Sequence, residues 1–399
     1  MNTHFLNPNI NYFARVNFRT DSRPFGILQK DRLVGLYILG KTGSGKTNLL
    51  ESLIFQDATH NRGFCILDVN GDLVKKVMQN IPAHRKKDVV FLDTSNPNLD
   101  WGYNPLKKVS APFRALVVSH LLASFQMIWG GNSWGVRMEY LLRNILLSLL
   151  EQPKATLDDV APLLLDMSFR NKCLAHIKDK NVIRFWEKEF PKYGKGDILP
   201  VLNKVGSFLS IPAIKKIMVD NQKQISLTKI MNEGKILLVN LSKGTMGADA
   251  SHLLGSLLLH SLSASGFYRV TIPEKKRSPF FIYLDEFHNF TTLSLVNSFS
   301  ELRKFKIGFV IAHQYINQLQ SDIKHAVLGN IGSMITFRLG LADAKVMAQE
   351  FYPEFSTEDF TSLAHYDIYL RLLINGKVSK PFSATTISSD CFIDNSRYL

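Results

Sequence analysis

The sequence predicts an α/β protein on a doubly wound, mostly parallel sheet, and three observations carry that prediction. Short, wholly apolar runs rich in β-branched and aromatic residues recur along the chain. Stretches of helical periodicity separate them, as crossover connections require. The first run leads through a glycine-rich loop directly into a helix. The runs are Leu33-Val34-Gly35-Leu36-Tyr37-Ile38-Leu39, Phe64-Cys65-Ile66-Leu67, Val89-Val90-Phe91-Leu92, Ile236-Leu237-Leu238-Val239, Phe280-Phe281-Ile282-Tyr283-Leu284 and Ile307-Gly308-Phe309-Val310-Ile311. Their lengths and polar boundaries read as fully buried parallel strands.

Residues 1–32 read as a short strand-bearing lead-in. From residue 110 to 233 the strand signal nearly vanishes, while Met138, Leu141, Leu142, Ile145, Leu146, Leu149 and Leu150 recur at helical spacing. The expected organisation is therefore a core in two parts, residues 1–109 and 234–399, interrupted by an all-helical insertion, residues 110–233. Near the end, an apolar run from Tyr366 meets Asn375-Gly376 and a second run reaching Thr386, which predicts a C-terminal β-hairpin.

Composition bounds the function. The 399 residues are 45% hydrophobic and 11% aromatic, enough for a sizeable core. Lys and Arg number 48 against 34 Asp and Glu, a net charge of +14 that favours a polyanionic partner. The basic residues lie in short groups such as Arg85-Lys86-Lys87, Lys107-Lys108 and Lys275-Lys276-Arg277. Cys65, Cys173 and Cys391 stand far apart, against a disulfide framework or a zinc site and in favour of a reducing, intracellular compartment. Residues 1–16 show no leader pattern, and residues 253–270, the most apolar candidate span, read as a core helix, so no transmembrane segment is expected.

The loop is Gly40-Lys41-Thr42-Gly43-Ser44-Gly45-Lys46-Thr47. Its glycines let successive N–H groups turn inward on a β-phosphate, and the following helix adds partial positive charge. Gly40, Thr42, Gly43, Ser44, Gly45, Lys46 and Thr47 form the nucleotide cradle, with Lys46 reaching the β/γ oxygens and Thr47 offering its hydroxyl to Mg²⁺. The expected ligands are ATP and Mg²⁺. Asp285-Glu286 ends an apolar strand, where the first carboxylate holds Mg²⁺ through water and the second acts as general base. The same pair would suit an ordinary acidic turn; the loop at residue 40 favours the catalytic reading. The next strand ends at His313-Gln314, and the Gln314 amide either faces the γ-phosphate or caps the following helix. His313 is read as structural. Arg303 falls at the edge of a helical stripe formed by Leu295, Val296, Phe299 and Leu302, and either snorkels along apolar surface or reaches a neighbouring subunit's nucleotide. Asp68-Val69-Asn70-Gly71-Asp72 does not fit a calcium loop, since Gly71 is misplaced and Gln79 stands where an acid is needed, although Asp68 can approach the nucleotide.

Several of these motifs, in order, resemble the HerA–FtsK superfamily of P-loop motors, and within it the soluble motor domain of type IV secretion coupling proteins, the TraG/TraD-like conjugative DNA transfer family. The resemblance rests on the phosphate loop, Asp68-Val69-Asn70-Gly71-Asp72-Leu73, Gly102-Tyr103-Asn104-Pro105-Leu106, Leu241-Ser242-Lys243-Gly244, Asp285-Glu286, Glu301-Leu302-Arg303-Lys304, Ala312-His313-Gln314 and the ending from Gly376 to Pro381-Phe382-Ser383. Val69 and Asn70 replace the usual Pro and His, and the N-terminal membrane helices of that family are not expected here. The resemblance implies a RecA-like core, a hexamer around DNA with nucleotide at its interfaces, Arg303 as a finger in trans and Gln314 as γ-phosphate sensor. The expected function is an ATP-hydrolysing DNA translocase, cytoplasmic or peripheral at a membrane secretion complex, with DNA and a relaxase, nuclease or secretion channel as partners. A viral-type DNA-packaging or DNA-end-processing ATPase, and a protein-secretion or assembly ATPase that never grips DNA, are the alternatives.

Overall fold

The apolar runs become the strands, and how deeply each is covered decides its pattern. The computed structural model describes residues 7–18, 21–96, 98–107, 109–131 and 134–393. Lys108 of the basic pair, residues 1–6 and 19–20 of the lead-in, and residues 394–399 lie outside the described residues. The strands are β1 Ile10–Val16, β2 Pro24–Leu28, β3 Leu36–Leu39, β4 Gly63–Asp68, β5 Val89–Asp93, β6 Ile236–Asn240, β7 Phe280–Leu284, β8 Ile307–His313, β9 Ser333–Thr336, β10 Asp367–Arg371, β11 Leu373–Ile374, β12 Lys377–Val378 and β13 Phe382–Thr386.

An 11-stranded sheet orders them β2-β1-β13-β10-β9-β3-β8-β7-β4-β6-β5. From β9 to β6 all neighbours are parallel and buried along their whole length. Strands covered on both faces need near-continuous apolar sequence, which is what made most of them legible. Toward the other flank the pairing is antiparallel, through β10, β13, β1 and β2.

Four details differ from the sequence reading. The first strand begins only at Leu36, because Gly35 at φ 100 turns the chain immediately before it. β5 is not fully buried: Val89, Phe91 and Asp93 are half-exposed, as befits the edge of the sheet. β9, with the sequence Ser-Met-Ile-Thr, was not anticipated; its polar ends are satisfied by Leu373 N donating to Ser333 Oγ at 2.9 Å and Thr336 Oγ1 donating to Tyr369 O at 3.1 Å. The C-terminal hairpin is divided. Asn375 and Gly376, both at positive φ (51 and 78), close a two-stranded ribbon of β11 and β12, while β10 pairs with β13 in the main sheet.

The chain forms two compact units. The first comprises Met1–Val90, Thr228–Asn240 and Gly266–Leu399, and the second Phe91–Leu227 and Leu241–Ser265. Apart from the end of β5, the second unit is helical. All seven residues of the stripe from Met138 to Leu150 are buried in helix Val136–Leu150, and Trp186 Nε1 donates to Ser148 Oγ at 2.7 Å, fixing an aromatic cluster of Phe185, Trp186 and Phe190 on that helix. Tyr103 and Asn104 are structural ties of the same unit: the Tyr103 hydroxyl donates to Leu257 O at 2.9 Å, and Asn104 Nδ2 donates to Ala155 O at 2.6 Å. Among the described residues, helix Ala111–Trp129, rather than residues 253–270, is the single helix long and apolar enough to cross a membrane, and the bent pair Lys195–Leu209 and Pro212–Asp220 passes the same test together; helix Ala111–Trp129 packs on helix Val136–Leu150.

In the first unit, a buried ionic cluster joins the helix after the phosphate loop, Lys46–Thr59, to β7. Asp57 on that helix accepts from Arg32, from Arg62 at 2.8 Å and from the Tyr283 hydroxyl at 2.6 Å, and neither Arg32 nor Asp57 is exposed at all. The Arg32 guanidinium also stacks on Phe281, 3.4 Å from the ring centroid. Burial opposes ionisation of Asp57, but the two guanidiniums outweigh it and hold the carboxyl below its ordinary value. Removing one partner would leave the other charge buried and unpaired. Asp57→Ala is therefore expected to cost about 3–5 kcal/mol of stability in equilibrium denaturation, and a loss under about 1 kcal/mol would show that the cluster is not a structural tie.

Candidate functional site

The loop at residues 40–47 leaves β3 and enters helix Lys46–Thr59. Gly43 and Gly45 adopt φ 76 and φ 122, values that side chains with a Cβ rarely reach. Space forbids a Cβ as well: one on Gly45 would come within 2.9 Å of Phe337 Cε1, and one on Gly40 within 2.6 Å of Phe337 Cβ. Ser44 Oγ donates to Lys41 O at 2.7 Å. The Lys46 ammonium donates to Gly40 O at 2.6 Å and Lys41 O at 3.2 Å. Burial lowers its pKa, while the nearby charges of Glu286 and Asp285 act in the opposite sense.

Because parallel strands end together, β7, β8 and β4 deliver their terminal polar residues to this loop. A cleft of about 410 Å³ is lined by Thr42, Lys46 and Thr47 of the loop region and by Asp68, Asp285, Glu286 and Gln314 from the strand ends. Gln314 is the link between them. Its Nε2 donates to Glu286 Oε1 at 2.5 Å, and its Oε1 accepts from Thr42 Oγ1 at 2.7 Å. Of the two sequence readings of Gln314, the helix cap is not what its amide does here. Glu286 is 8% exposed and sits at φ 54, a strained conformation for a residue with a side chain. Its Oε2 makes no hydrogen bond, with His288 Nδ1 standing 3.5 Å away. Burial, then the charges of Asp68 and Glu286, push the Asp285 carboxyl up to about 7.

Asp68 does more than approach the site. Its carboxylate accepts from Asn70 N at 2.9 Å and Val74 N at 3.2 Å, capping the start of helix Asp72–Asn80. Gly71 at φ 87 lies against Asn240, where a Cβ would meet Oδ1 at 2.5 Å. That close approach, rather than calcium binding, accounts for the glycine. His313 is fully buried with Nε2 2.6 Å from the Tyr37 hydroxyl, and burial drives its pKa down to about 3, so it is a neutral structural residue, as read from the sequence.

Arg303 is exposed in the turn between helix Leu293–Leu302 and β8. β8 has seven residues, so this turn lies roughly 20 Å from Gln314 at the strand's other end, and Arg303 does not join the cleft of its own chain. Sequence reasoning passed over Tyr366, Asn70, Asp72 and Asn48, which also line the cleft. Asn70 and Asp72 belong to a quoted motif and were within reach. Tyr366 carried no local signal: it is placed by Tyr366 N donating to Ser44 O at 3.2 Å, a contact between segments more than 300 residues apart.

The fold has known relatives. A family model described as the type IV secretion-system coupling protein DNA-binding domain matches residues 28–353. Among solved structures, the plasmid coupling protein TrwB in complex with ADP and Mg²⁺ is similar, with a TM-score of 0.63 and 14% identity over 95% of each chain. TrwB in complex with a non-hydrolysable ATP analogue has the same TM-score and identity, covering 91% of this chain and 87% of that one. VirB4 of Thermoanaerobacter pseudethanolicus has a TM-score of 0.65 and 11% identity over 96% of this chain and 97% of its own. No curated protein sequence matches the chain. The RecA-type core expected from the motifs is the fold these structures share with it, and the chain belongs to the type IV secretion-system coupling protein DNA-binding domain family.

Proposed function

We propose that this protein is an ATPase that moves DNA, working as a homo-hexameric ring with nucleotide at the interfaces between subunits, at the cytoplasmic face of a secretion complex. The observation that carries the reading is the Gln314 bridge, which joins the phosphate loop at Thr42 to the strained carboxylate of Glu286. The coupling-protein family and the net charge of +14 favour DNA over protein as the polymer moved.

The site fits a triphosphate and a divalent cation. Loop N–H groups at a helix N-terminus suit phosphate oxygens. Asp68, Asp285 and Glu286 crowd negative charge around Lys46, and the buried, unpartnered Glu286 Oε2 leaves an acceptor to spare. Thr47 and Asp285 would hold Mg²⁺, which supplies charge neutralisation on the phosphates. Glu286 accepts the proton of the attacking water, and its unsatisfied oxygen suits that task. Gln314 orients that water relative to the terminal phosphate, and Lys46 offsets the charge that develops as the terminal phosphate departs. Arg303, remote from its own cleft, acts on the nucleotide of the neighbouring subunit.

Lys46→Ala and Glu286→Gln should each lower DNA-stimulated ATP turnover by about a hundredfold or more. Full activity in either purified variant would sink the assignment. Stimulation by DNA should weaken steeply with salt, whereas hydrolysis indifferent to DNA would point to the protein-directed alternative. Arg303→Ala alone should be inactive, yet mixing it with Glu286→Gln should restore turnover, because mixed interfaces pair an intact Glu286 with an intact Arg303. Mixtures as dead as their components would remove Arg303 from the site.

Asp285 sets a dependence on pH. Its folded value of about 7 lies above the ordinary 3.8, so the fold favours the neutral carboxyl. That contribution is full at pH values below the ordinary value and is lost as pH rises through 7. Without metal or nucleotide, the melting temperature of Asp285→Asn should gain steadily on that of the unmodified protein between pH 4 and pH 8, while its Mg²⁺-dependent stabilisation disappears. Parallel melting curves across that range would show that Asp285 is not crowded as described.

A further inference from the structure

The carboxylate of Glu286 is held at one oxygen only. Gln314 Nε2 donates to Oε1 at 2.5 Å, while Oε2 makes no hydrogen bond and is shielded from solvent. An oxygen in that position costs free energy until a donor reaches it, and bulk water cannot supply one. The polar atom that faces it is His288 Nδ1, at 3.5 Å and likewise shielded. That separation is just beyond hydrogen-bond range, and catalytic hydrogen bonds often tighten only as the reaction complex forms.

Of the two side chains, the histidine is the fixed one. His288 sits in the turn Phe287–Asn289, directly after Glu286. Phe287 and Phe290, which bracket it, are fully buried, and the Phe287 ring packs 6.2 Å from Phe299 and 6.5 Å from His313. The His288 ring lies 6.4 Å from that of His313, which the Tyr37 hydroxyl holds in turn. The Glu286 backbone is fixed as well, since Asn289 N and Nδ2 both donate to its carbonyl at 3.0 Å. What remains adjustable is the Glu286 side chain, and a small rotation about its χ angles closes the gap. His288 Nδ1 can donate in one neutral tautomer or in the imidazolium, and a carboxylate oxygen with two lone pairs can accept that bond and still meet a water. Gln314, meanwhile, loosens its grip on Oε1 when its amide turns to orient the attacking water. His288 is then what keeps the carboxylate aimed.

We propose that His288 is the positioning residue of Glu286, its Nδ1–H holding Oε2 while Gln314 attends to the water. The proposal rests on the hydrolytic reading given above. Substitutions of matched shape test it. The amide nitrogen of asparagine overlies Nδ1 of histidine, that of glutamine overlies Nε2, and leucine offers no donor. His288→Leu should lower kcat for ATP about 10- to 100-fold and leave KM within about twofold. His288→Asn should keep kcat within about threefold of the unmodified protein, whereas His288→Gln should fall with His288→Leu. In a Glu286→Gln background, His288→Leu should cost less than about twofold more in single-turnover hydrolysis, because there is no longer a base to aim. Full kcat in His288→Leu overturns the proposal, and so does an equal loss in the asparagine and glutamine variants. A further loss of about tenfold on top of Glu286→Gln overturns it too, because His288 would then act on something other than Glu286. Absence of turnover in the unmodified protein overturns the hydrolytic reading itself, and this inference with it.

Discussion

A phosphate loop and a catalytic carboxylate act together only if the elements carrying them cannot drift apart. Here Asp57 provides that constraint. It sits on the helix that begins in the loop, accepts from the hydroxyl of Tyr283 on the carboxylate-bearing strand, and is neutralised by Arg32 and Arg62. Two of these charges are wholly removed from solvent, so each is tolerable only while the others stay in place. The cluster thus turns a large desolvation cost into positional rigidity, about three helical turns behind the chemistry.

The chemistry is itself under tension. Asp285 and Glu286 are crowded by Asp68 against a single lysine, and Glu286 occupies a left-handed conformation that its side chain disfavours. Gln314 spans this crowded side and the loop with one amide. Binding anything that competes for Thr42 or Glu286 must rearrange that amide, which couples the contents of the cleft to β8. β8 begins at the turn bearing Arg303, so one strand connects the chain's own cleft to the surface it would present to a neighbour.

Most of the core and the heart of the site were legible because they are written locally. The loop, the carboxylates of β7 and Gln314 each follow an apolar run, and burial on both faces makes such runs unmistakable. β9 escaped because Ser333 and Thr336 are polar residues satisfied by β10 and its surroundings, a pairing with no trace in the four residues themselves. β5 looked like its neighbours but ended at an edge, and edges are decided by the sheet rather than by the strand. Tyr366 could not be found at all from spacing, since its place depends on contacts with Ser44 and Thr386.

The position of β1 has a consequence for how the molecule is made. It pairs with β2 on one side and with β13 on the other, where Ala14 faces Thr386. The roughly 370 residues that separate those partners must be synthesised before the second edge is filled. At about 5–20 residues per second this leaves a ribbon with an open edge for roughly 20–75 s on the ribosome. During that interval Ile10–Val16 offers its unpaired backbone to any passing strand, so the emergence of β13 is what ends this edge's exposure to mispairing.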